Sequence, residues 1–565
     1  MERFLKTAAK LIAETVETDF EEIFSKLQFT PPDKFGDIAF PCFVLAGKLK
    51  KSPHQIAEDL KQNIRLSPEF EAVKNVGPYL NFKISPILLV RNILTEITTS
   101  EHGYGFSKEH SGETVVMDYS SPNIAKPFGL GHLRSTVIGN ALMRIYRSQG
   151  YNAIGINHLG DWGTQFGKLI YAYNEWGDEK RLKDDPIGAL FNLYVKFHKQ
   201  ADENSELEEN ARVWFKKLED GDSYTVEKWN DFKKYSTQKF NKIYERLGIS
   251  FEYQTGESFY NDKMQAVIDE LNSGGLAIVS QDALVVDLEN YGMPPALLKK
   301  KDEATLYITR DLAAAIYRRN TYNADLILYI VGSEQKLHFQ QLFKVLELMG
   351  NEWAKDCIHV DFGRIKFEGA EMSTRQGNII ILEDVLDRSK VLALEIINEK
   401  NAELEAKEDI AEIIGLGAVI FAQFNSRRNK NISFSWNEAL NFDGQTGPYI
   451  QYTHARLCSL QRKYGKELPA DIDYSILTGT GELKLCKMLG HFPMTIKTSI
   501  RENEPSLIAS YLIELASEFN RFYQATRIVV DDENIAKARI YLSNCIRIVI
   551  NRGLDLLGIK APEKM

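Results

Sequence analysis

The residues best suited to chemistry lie in one stretch, Asp118-Tyr-Ser-Ser-Pro-Asn-Ile-Ala-Lys126-Pro-Phe-Gly-Leu-Gly-His132-Leu-Arg-Ser-Thr. Gly129 and Gly131 have no Cβ, so the backbone N–H groups of this loop can approach a phosphate closely. Lys126 and His132 would add a charge or a hydrogen-bond donor there. An ordinary tight turn can carry the same glycines, so this loop predicts a nucleotide site only together with other segments.

Four further segments place polar side chains at a strand end or a helix start. Tyr307 and Asp311 are four residues apart and therefore share one face of a helix. The segment that begins at Glu371 is a candidate mobile loop that grips phosphate. Taken alone, each segment also fits a purely structural role, such as a capped helix start or a histidine whose hydrogen bonds are made within the fold. The segments are Asn157-His158-Leu-Gly-Asp161-Trp-Gly-Thr-Gln165, Tyr307-Ile-Thr-Arg-Asp311, Val331-Gly-Ser-Glu-Gln335-Lys-Leu-His338 and Glu371-Met-Ser-Thr-Arg375-Gln-Gly.

A strand, a loop and a helix must position the first stretch. Residues 114–117 form an apolar, β-branched run, and apolar residues then recur at helical spacing from 133 to 145, before Gly150. A second apolar run at 152–156 completes a strand-helix-strand unit, which is a right-handed crossover if the strands are parallel. Ligands of such sheets bind at the carboxyl ends of the strands, where this loop falls.

The rest of the chain divides into three regions by pattern. Residues 1–108 read as a separate α+β module, with helices at 4–16 and 53–64 and a strand pattern at 73–84 that breaks at Gly77-Pro78. Residues 109–385 hold the sheet and a charged helical insertion at about 176–260. Strand patterns return at 283–288, 305–309, 326–331 and 358–365, and residues 386–565 read as nearly all helical.

Composition favours a soluble protein of several domains. At 565 residues the chain is too long for one core, and its 44% hydrophobic and 26% charged content is ordinary for a globular protein. No apolar run approaches the ~18 residues of a membrane span. The five cysteines are scattered without a Cys-x-x-Cys pair, which favours a reduced cytoplasmic setting without structural zinc.

The charge balance neither excludes nor demonstrates a nucleic-acid partner. The net charge is −9, yet residues 451–565 carry 16 Lys and Arg against 13 Asp and Glu. The acidity therefore lies upstream of residue 451. Local basic patches matter more than the total for phosphate contacts.

Taken together, these segments resemble the arginyl-tRNA synthetases, a family of class I aminoacyl-tRNA synthetases. The resemblance is carried by the stretches from Ser121, Asn157 and Tyr307 and by Thr446-Gly-Pro-Tyr-Ile-Gln-Tyr-Thr-His-Ala-Arg456, which occur in the family's order. It implies an α/β Rossmann-type catalytic domain at 109–385. It also implies an N-terminal α+β domain at 1–108 that holds the tRNA elbow, a C-terminal all-α anticodon domain at 386–565, and a monomer.

The resemblance also implies a reaction and an amino-acid pocket. ATP, with Mg²⁺, would activate L-arginine to arginyl-adenylate, and the 2′-hydroxyl of the terminal adenosine of tRNA(Arg) would then accept the arginyl group. The first step would need bound tRNA. A guanidinium carries five donors and a fixed charge, so carboxylates are its expected partners, and lysine should be rejected. The implied arginine contacts are Asp118, Asn123, Tyr307, Asp311, Gln335 and His158.

The chain departs from the class I pattern at both signature loops. The first tetrad, Gly129-Leu-Gly131-His132, lacks its first histidine, and the second, Glu371-Met372-Ser373-Thr374, lacks both lysines. Family members without the second lysine compensate with a lysine at the position of Lys126, and Arg375 is an alternative cation. A carboxylate at 371 beside triphosphate is repulsive unless it turns away or meets Mg²⁺. The resemblance thus assigns ATP binding to Gly129, Gly131, His132, Met372 and Ser373, and catalysis to Lys126, His132 and Arg375.

Two regions carry the implied tRNA contacts. Tyr79 and Asn81 follow Gly77-Pro78, where family members contact the D-loop. A later helix carries Tyr449, Tyr452 and Arg456, which offer stacking surfaces and a cation. An aromatic core stripe is the alternative interpretation of that helix.

Two other functions remain open from the sequence. A catalytically inactive paralogue that still binds tRNA would also lose signature lysines. The intact set of arginine contacts argues against it, because a mere RNA-binding protein has no need of them. A class I synthetase for another amino acid is disfavoured by the paired carboxylates, Asp118 and Asp311.

Overall fold

The N-terminal region is an antiparallel sheet covered by helices. The computed structural model describes residues 1–30, 36–100, 103–281, 283–299, 307–367 and 380–565. The sheet order is β1-β2-β4-β3, and the predicted helices and the strand break at Gly77-Pro78 are confirmed. The elements are α1 (Glu2–Val16), α2 (Phe20–Phe24), β1 (Gln28–Phe29), β2 (Ile38–Pro41), α3 (Ala46–Leu49), α4 (Pro53–Asn63), β3 (Phe70–Val76), β4 (Tyr79–Ile84) and α5 (Pro86–Thr99).

A parallel sheet in the order β11-β10-β5-β6 forms the centre of the second region. Its first elements are β5 (Thr114–Asp118), α6 (Leu130–Ser148), β6 (Asn152–Ile156), α7 (Thr164–Trp176), α8 (Glu179–Asp184), α9 (Pro186–Ala201), α10 (Glu206–Glu219), α11 (Ser223–Leu247) and α12 (Met264–Ser273). Then follow β7 (Ala277–Ser280), β8 (Ala283–Val286), β9 (Ala296–Lys299), α13 (Tyr307–Tyr322), β10 (Leu326–Tyr329), α14 (Lys336–Leu348), β11 (Cys357–His359) and β12 (Ile365–Phe367). Strands β7, β8 and β9 form a small antiparallel sheet of their own.

Burial explains why the central unit could be predicted. Every residue of β5 is buried, as expected for a parallel sheet with helices on both faces. The predicted strand-helix-strand unit is confirmed, with β5 and β6 parallel. The strand pattern at 305–309 is wrong over 307–309, which begins α13, while 305 and 306 lie outside the described residues. Thr309 is buried there and donates to the Leu298 carbonyl, so tertiary packing overrides its β-preference.

The last region is helical with one exception. Strand β13 pairs in parallel with β12, so the second and third regions share a small sheet that the helical prediction missed. The boundaries predicted at 108 and 385 remain predictions. None of the described helices is both long and apolar enough to cross a membrane. The elements are α15 (Leu382–Lys400), α16 (Lys407–Phe421), β13 (Ile432–Phe434), α17 (Trp436–Ala439), α18 (Gly447–Tyr464), α19 (Thr480–Glu502), α20 (Ser506–Ala525) and α21 (Glu533–Leu556).

A buried arginine joins α6 to the helical region. Arg134 has no solvent exposure, and its Nη2 donates to the carbonyls of Arg428 at 2.7 Å and Lys430 at 2.9 Å. Burial lowers the pKa of Arg134 to about 10, so it stays charged at neutral pH. Arg428 in turn lies 2.6 Å from the carboxylate of Asp361, just before β12. The start of α6 is therefore tied to the chain that enters β13.

Candidate active site

The strand order creates a crevice between β5 and β10. The chain moves from β5 to β6 in one direction along the sheet and from β10 to β11 in the opposite direction. Asp118, the last residue of β5, lies in register with Ile156 of β6 and Tyr329 of β10. Ligands of open parallel sheets bind outside the carboxyl ends of the strands at such a switch point. The loops that follow these three strands therefore form the candidate site.

Asp118 is buried at this edge and is paired within the chain. Its Oδ2 lies 2.8 Å from Nη1 of Arg318 on α13, and Ser121 Oγ donates to its Oδ1 at 2.9 Å. The Arg318 side chain is 1% exposed. Burial alone would lower the pKa of Arg318, but the Asp118 carboxylate holds this pKa well above its ordinary value. A carboxylate has about four acceptor positions, so Asp118 can still receive donors from a ligand.

The loop after β5 has a strained backbone. Ser120, Ser121 and Ala125 have φ values of 71°, 48° and 60°. These values lie in the left-handed region, which side chains other than glycine's disfavour. Asn123 and Gly160, in the loop after β6, form an isolated β-bridge. A Cβ at position 160 would collide with the side-chain amide of Asn123. Glycine at 160 therefore lets the two loops meet.

Gly129, Gly131 and His132 lie at the start of α6. A Cβ built on Gly131 meets no atom within 4 Å, so this side of the helix start is open to a ligand. The Nδ1 atom of His132 makes no hydrogen bond within the described residues. Burial, together with a smaller contribution from the charge of Lys126, lowers the pKa of His132 to about 4. His132 is therefore neutral at pH 7 and offers a hydrogen bond rather than a charge.

Lys126 is held against the helical insertion. Its ammonium lies 4.4 Å from the ring centroid of Tyr194 on α9, a cation–π contact that restrains the charge. The charge of Lys126 also contributes to the lowered pKa of His132, so the two groups interact electrostatically. One cation and one neutral imidazole thus accompany the start of α6.

The residues of the second predicted phosphate loop lie outside the described residues, but the segment after them is anchored. Leu130 N donates to the Ile380 carbonyl at 2.9 Å, and Leu382 N donates to the Phe128 carbonyl at 2.9 Å. The chain therefore returns beside the start of α6, next to the first loop. The predicted site residues Glu371, Met372, Ser373 and Arg375 lie outside the described residues.

Asp311 on α13 supplies the second carboxylate of the crevice. Its Oδ2 lies 2.6 Å from Nε2 of His338 on α14. Burial raises the pKa of Asp311, but the bond from His338 and the charges of His338, His158 and Arg318 outweigh it, so the net pKa is below the ordinary value. Asp311 therefore stays ionised at neutral pH.

Three other predicted arginine contacts line this side. His158 Nδ1 lies 3.1 Å from the Thr255 carbonyl, which can only accept, so Nδ1 carries the proton and Nε2 is left as an acceptor. Burial lowers the pKa of His158, while Asp118 and Asp311 oppose that shift, so both carboxylates influence it. Tyr307 is 62% exposed and Gln335 is also exposed, which places both at the rim.

Two residues of the site were not predicted from the sequence. Arg318 pairs with Asp118, and Glu257 lies 3.4 Å from Nη1 of Arg310 beside Asp311. In the sequence, an arginine within a helix and a glutamate within a charged region are both interpreted as solvent-exposed residues. The apolar run Leu312-Ala-Ala-Ala-Ile316 is the sequence signal that part of this helix is buried.

Three family models match successive parts of the chain. They are the "Arginyl tRNA synthetase N terminal domain" over residues 2–84, the "tRNA synthetases class I (R), catalytic domain" over 93–436 and the "DALR anticodon binding domain" over 450–565. This chain belongs to the arginyl-tRNA synthetase family. The predicted fold class is therefore confirmed, with a class I catalytic domain between an N-terminal arginyl-tRNA synthetase domain and a helical anticodon-binding domain.

Individual members of the arginyl-tRNA synthetase family are similar over their whole length. The arginine–tRNA ligase of Halothermothrix orenii is 47% identical over 563 residues, covering 100% of each chain. That of Clostridium botulinum strain Okra is 48% identical over 558 residues, covering 99% of each. The solved arginyl-tRNA synthetase of Thermus thermophilus superposes with a TM-score of 0.84 at 25% identity, covering 100% of both chains.

The RNA contacts expected in the N-terminal domain of this synthetase family fall on one strand. Tyr79 is 41% exposed, and its ring meets that of exposed Phe43 edge-on at 6.1 Å between centroids. Asn81 is buried, with its Nδ2 3.4 Å from the Tyr79 carbonyl. Tyr79 therefore offers a surface to a partner, whereas Asn81 supports the strand that carries it.

The anticodon-binding domain presents a second aromatic surface. The Arg456 guanidinium lies 4.8 Å from the ring centroid of Tyr452 and 5.3 Å from that of Tyr523. Both rings are exposed. Tyr449 is half-buried, and its hydroxyl accepts from Asn520 Nδ2 at 3.0 Å. Tyr452, Tyr523 and Arg456 thus form the surface, and Tyr449 holds Asn520 behind it.

Glu257 predicts a pH-dependent stability. Burial raises its pKa to about 8, with Asp311 and Asp161 adding to the shift and Arg310 opposing it. Between the ordinary value of 4.5 and about 8, the folded state keeps a proton that the unfolded state has lost. We expect this group to lower the free energy of unfolding as pH rises through that window, by at most about 1.4 kcal/mol per pH unit.

Urea denaturation of the wild type and Glu257→Gln from about pH 5 to about pH 8 measures this contribution. The stability of the variant relative to the wild type should rise with pH. The exposed Glu438, replaced by Gln, is the control and should share the wild-type slope. Parallel slopes for wild type and Glu257→Gln would contradict the assignment.

Proposed function

We propose that this chain is an arginine–tRNA ligase. It activates L-arginine with ATP and transfers the arginyl group to the 2′-hydroxyl of the terminal adenosine of tRNA(Arg). The observation that carries the proposal is the pair of carboxylates, Asp118 and Asp311, in one crevice with the glycine-containing start of α6. The carboxylates suit a guanidinium, and the helix start suits phosphate.

In this proposal the amino-acid pocket matches the guanidinium group by group. Asp118 and Asp311 accept its charged donors, while Tyr307 and Gln335 add neutral contacts at the rim. His158, whose pKa both carboxylates influence, offers the acceptor Nε2. A lysine ammonium cannot satisfy fork-shaped acceptors, so it would leave buried carboxylate oxygens unpaired and be rejected.

ATP is proposed to lie along the start of α6. Asn123 holds the α-amino or carboxylate end of the arginine substrate. A carboxylate oxygen of that arginine can then attack the α-phosphorus of ATP in line. The bond from that phosphorus to the bridging oxygen breaks, and pyrophosphate leaves with the electron pair. Neutral His132 donates to a phosphate oxygen, and Lys126 stabilises the growing negative charge. Met372 and Ser373 are proposed to contact ATP, and Arg375 to serve as an alternative cation.

Mg²⁺ is proposed to arrive with ATP rather than in a protein cage. In the part of the chain that the structure describes, no three His, Cys, Asp or Glu side chains are grouped to hold a metal ion. Mg²⁺ commonly keeps water and substrate phosphate oxygens as its ligands. When bound, it would share the phosphate charge with Lys126.

The transfer step places tRNA(Arg) along both outer domains. Tyr79 is proposed to meet the elbow, with Asn81 behind it, and Tyr452 and Arg456 to meet the anticodon, with Tyr449 behind them. In the second step the terminal 2′-hydroxyl oxygen attacks the arginyl carbonyl, and AMP leaves. We further propose that the enzyme works as a cytoplasmic monomer.

Replacing Tyr452 by Ala should raise the KM for tRNA(Arg) about 10-fold, because stacking on one base is worth about 1–3 kcal/mol. The kcat should change little, since this surface lies outside the crevice. Steady-state aminoacylation measures both constants. Tyr464→Ala, on the same helix, is the control, and an unchanged KM for Tyr452→Ala would remove this surface from the tRNA path.

Pyrophosphate exchange with ATP and arginine tests the proposed function. Exchange should appear only with tRNA(Arg) present, and lysine should not replace arginine. The absence of exchange with any tRNA, together with retained tRNA binding on filters, would favour the inactive paralogue. Exchange with another amino acid would overturn the assignment of arginine.

A further inference from the structure

Helix α11 of the charged insertion holds the strained loop after β5 at two points. Ser236 is fully buried, and its Oγ accepts from Ala125 N at 2.7 Å while donating to the Phe232 carbonyl at 2.6 Å. Farther along the helix, the hydroxyl of buried Tyr244 lies 2.8 Å from Ser120 Oγ. Ser120 and Ala125 both have left-handed φ values. The helix therefore contacts the loop where its backbone is strained.

The Tyr244 hydroxyl belongs to a buried hydrogen-bond chain with only one possible direction. Asn157 Nδ2 donates to Tyr244 at 3.2 Å, and Thr136 Oγ1 donates to the His132 carbonyl at 2.7 Å. Because an amide NH₂ only donates and a carbonyl only accepts, the hydroxyls between them must all donate the same way. Tyr244 therefore donates to Ser120, and Ser120 donates to Thr136, each at 2.8 Å.

This chain connects the two loops of the crevice to the first turn of α6. Asn157 lies at the end of β6, and its Oδ1 also accepts from the N–H of Ser121, the third strained residue, at 3.2 Å. Each of the three hydroxyls gives one hydrogen bond and accepts one. Strained residues persist at a site only when their surroundings fix them, and fully satisfied buried networks are rigid.

We propose that Tyr244 and Ser236 are positioning residues for adenylate formation. They touch no reactant. Their hydrogen bonds fix the loop that carries Asn123 and Lys126, and through Thr136 they also fix the carbonyl of His132. The insertion thereby sets the geometry of the catalytic loop. This inference rests on the proposed function, and it names two residues of the insertion as part of that function.

Tyr244→Phe removes only the hydroxyl that links Asn157 to Ser120. The kcat of pyrophosphate exchange should fall about 10- to 100-fold, with smaller changes in the KM for arginine and ATP, because small misplacements of reacting groups are costly. Tyr104→Phe is the matched control. Its hydroxyl is also buried and donates to the Leu489 carbonyl at 2.9 Å, far from the crevice. Both variants should lower Tm, but only Tyr244→Phe should lower kcat.

Ser236→Ala tests the second anchor and allows a rescue. Ser236→Ala should lower kcat, and Ala125→Gly makes a left-handed φ easy to adopt. The kcat of the double variant Ser236→Ala/Ala125→Gly should therefore be several-fold higher than that of Ser236→Ala. A merely structural role of Ser236 would lower Tm without this recovery. An unrecovered kcat would therefore remove Ser236 from the proposal.

Amide hydrogen exchange of the peptide spanning 119–128 separates this inference from the proposed function. Tyr244→Phe should exchange there at least about tenfold faster than Tyr104→Phe, whatever reaction the enzyme catalyses. Equal exchange, or a kcat of Tyr244→Phe within about twofold of wild type, would overturn the positioning role. An inactive wild type with the faster exchange would instead refute the proposed function and leave the loop contact established.

Discussion

Replacing Asp118 by alanine is expected to lower the free energy of unfolding by about 3–5 kcal/mol, because removing one partner of a buried ion pair leaves the other charge uncompensated. The Arg318 guanidinium is almost completely buried and lies 2.8 Å from the Asp118 carboxylate. Asp118 is the carboxylate that forms an ion pair with it among the described residues. Urea denaturation with a constant m-value measures this loss.

A double variant separates charge from packing at this position. Asp118→Leu/Arg318→Met removes both charges and should be far closer to the wild type in stability than Asp118→Ala, since apolar replacements of a buried pair are often neutral. The double variant should still bind arginine poorly, because one pocket carboxylate is gone. A small loss of stability in Asp118→Ala would mean that water or a neighbouring group compensates Arg318.

The Lys126→Ala variant is expected to lower the rate of pyrophosphate exchange by about 100-fold or more, as the loss of one charge-stabilising donor typically does. Both signature lysines are absent from the second tetrad, and the charge of Lys126 acts on His132 at the start of α6. The loss should appear mainly in kcat, because charge develops in the transition state.

Two further variants make this result specific. Lys126→Arg keeps the charge and should recover part of the rate. Lys217 lies 4.4 Å from the ring centroid of Trp214, the same separation as Lys126 from Tyr194, but it lies on the exposed face of α10. Lys217→Ala should therefore leave the rate unchanged. An unchanged rate in Lys126→Ala would transfer the role to Arg375.

Segments with a clear periodic or apolar pattern could be predicted from the sequence, whereas some short elements could not. The unit from β5 to β6 was predicted because a buried strand and a long helix each carry a clear pattern. Strands β8 and β10 have only four residues each, but they lie in longer apolar runs and were predicted. Strands β9 and β13, with four and three residues, lack such a run and were missed. Ile308 and Thr309 have the β-branched composition of a strand, but both are buried in the first turn of α13.

The site could be predicted only as far as short segments reveal it. Asp118, Asp311 and His132 stand out because polar residues follow strands or begin helices. Arg318 and Tyr244 function through partners distant in the chain, and no local pattern distinguishes a buried arginine or tyrosine from a solvated or core one. Pairs of this kind become visible only once the sheet and the insertion are folded together.

The contact of Arg134 limits how far this synthetase can be treated as a set of interchangeable modules. A fragment that stopped at residue 385 would keep the Arg134 guanidinium in place and delete both carbonyls that receive it. It would also remove β13, the partner strand of β12. Chimaeras with a transplanted anticodon domain should therefore retain residues 428–434 from the donor of the catalytic sheet, and the minimal autonomous catalytic unit must extend past them.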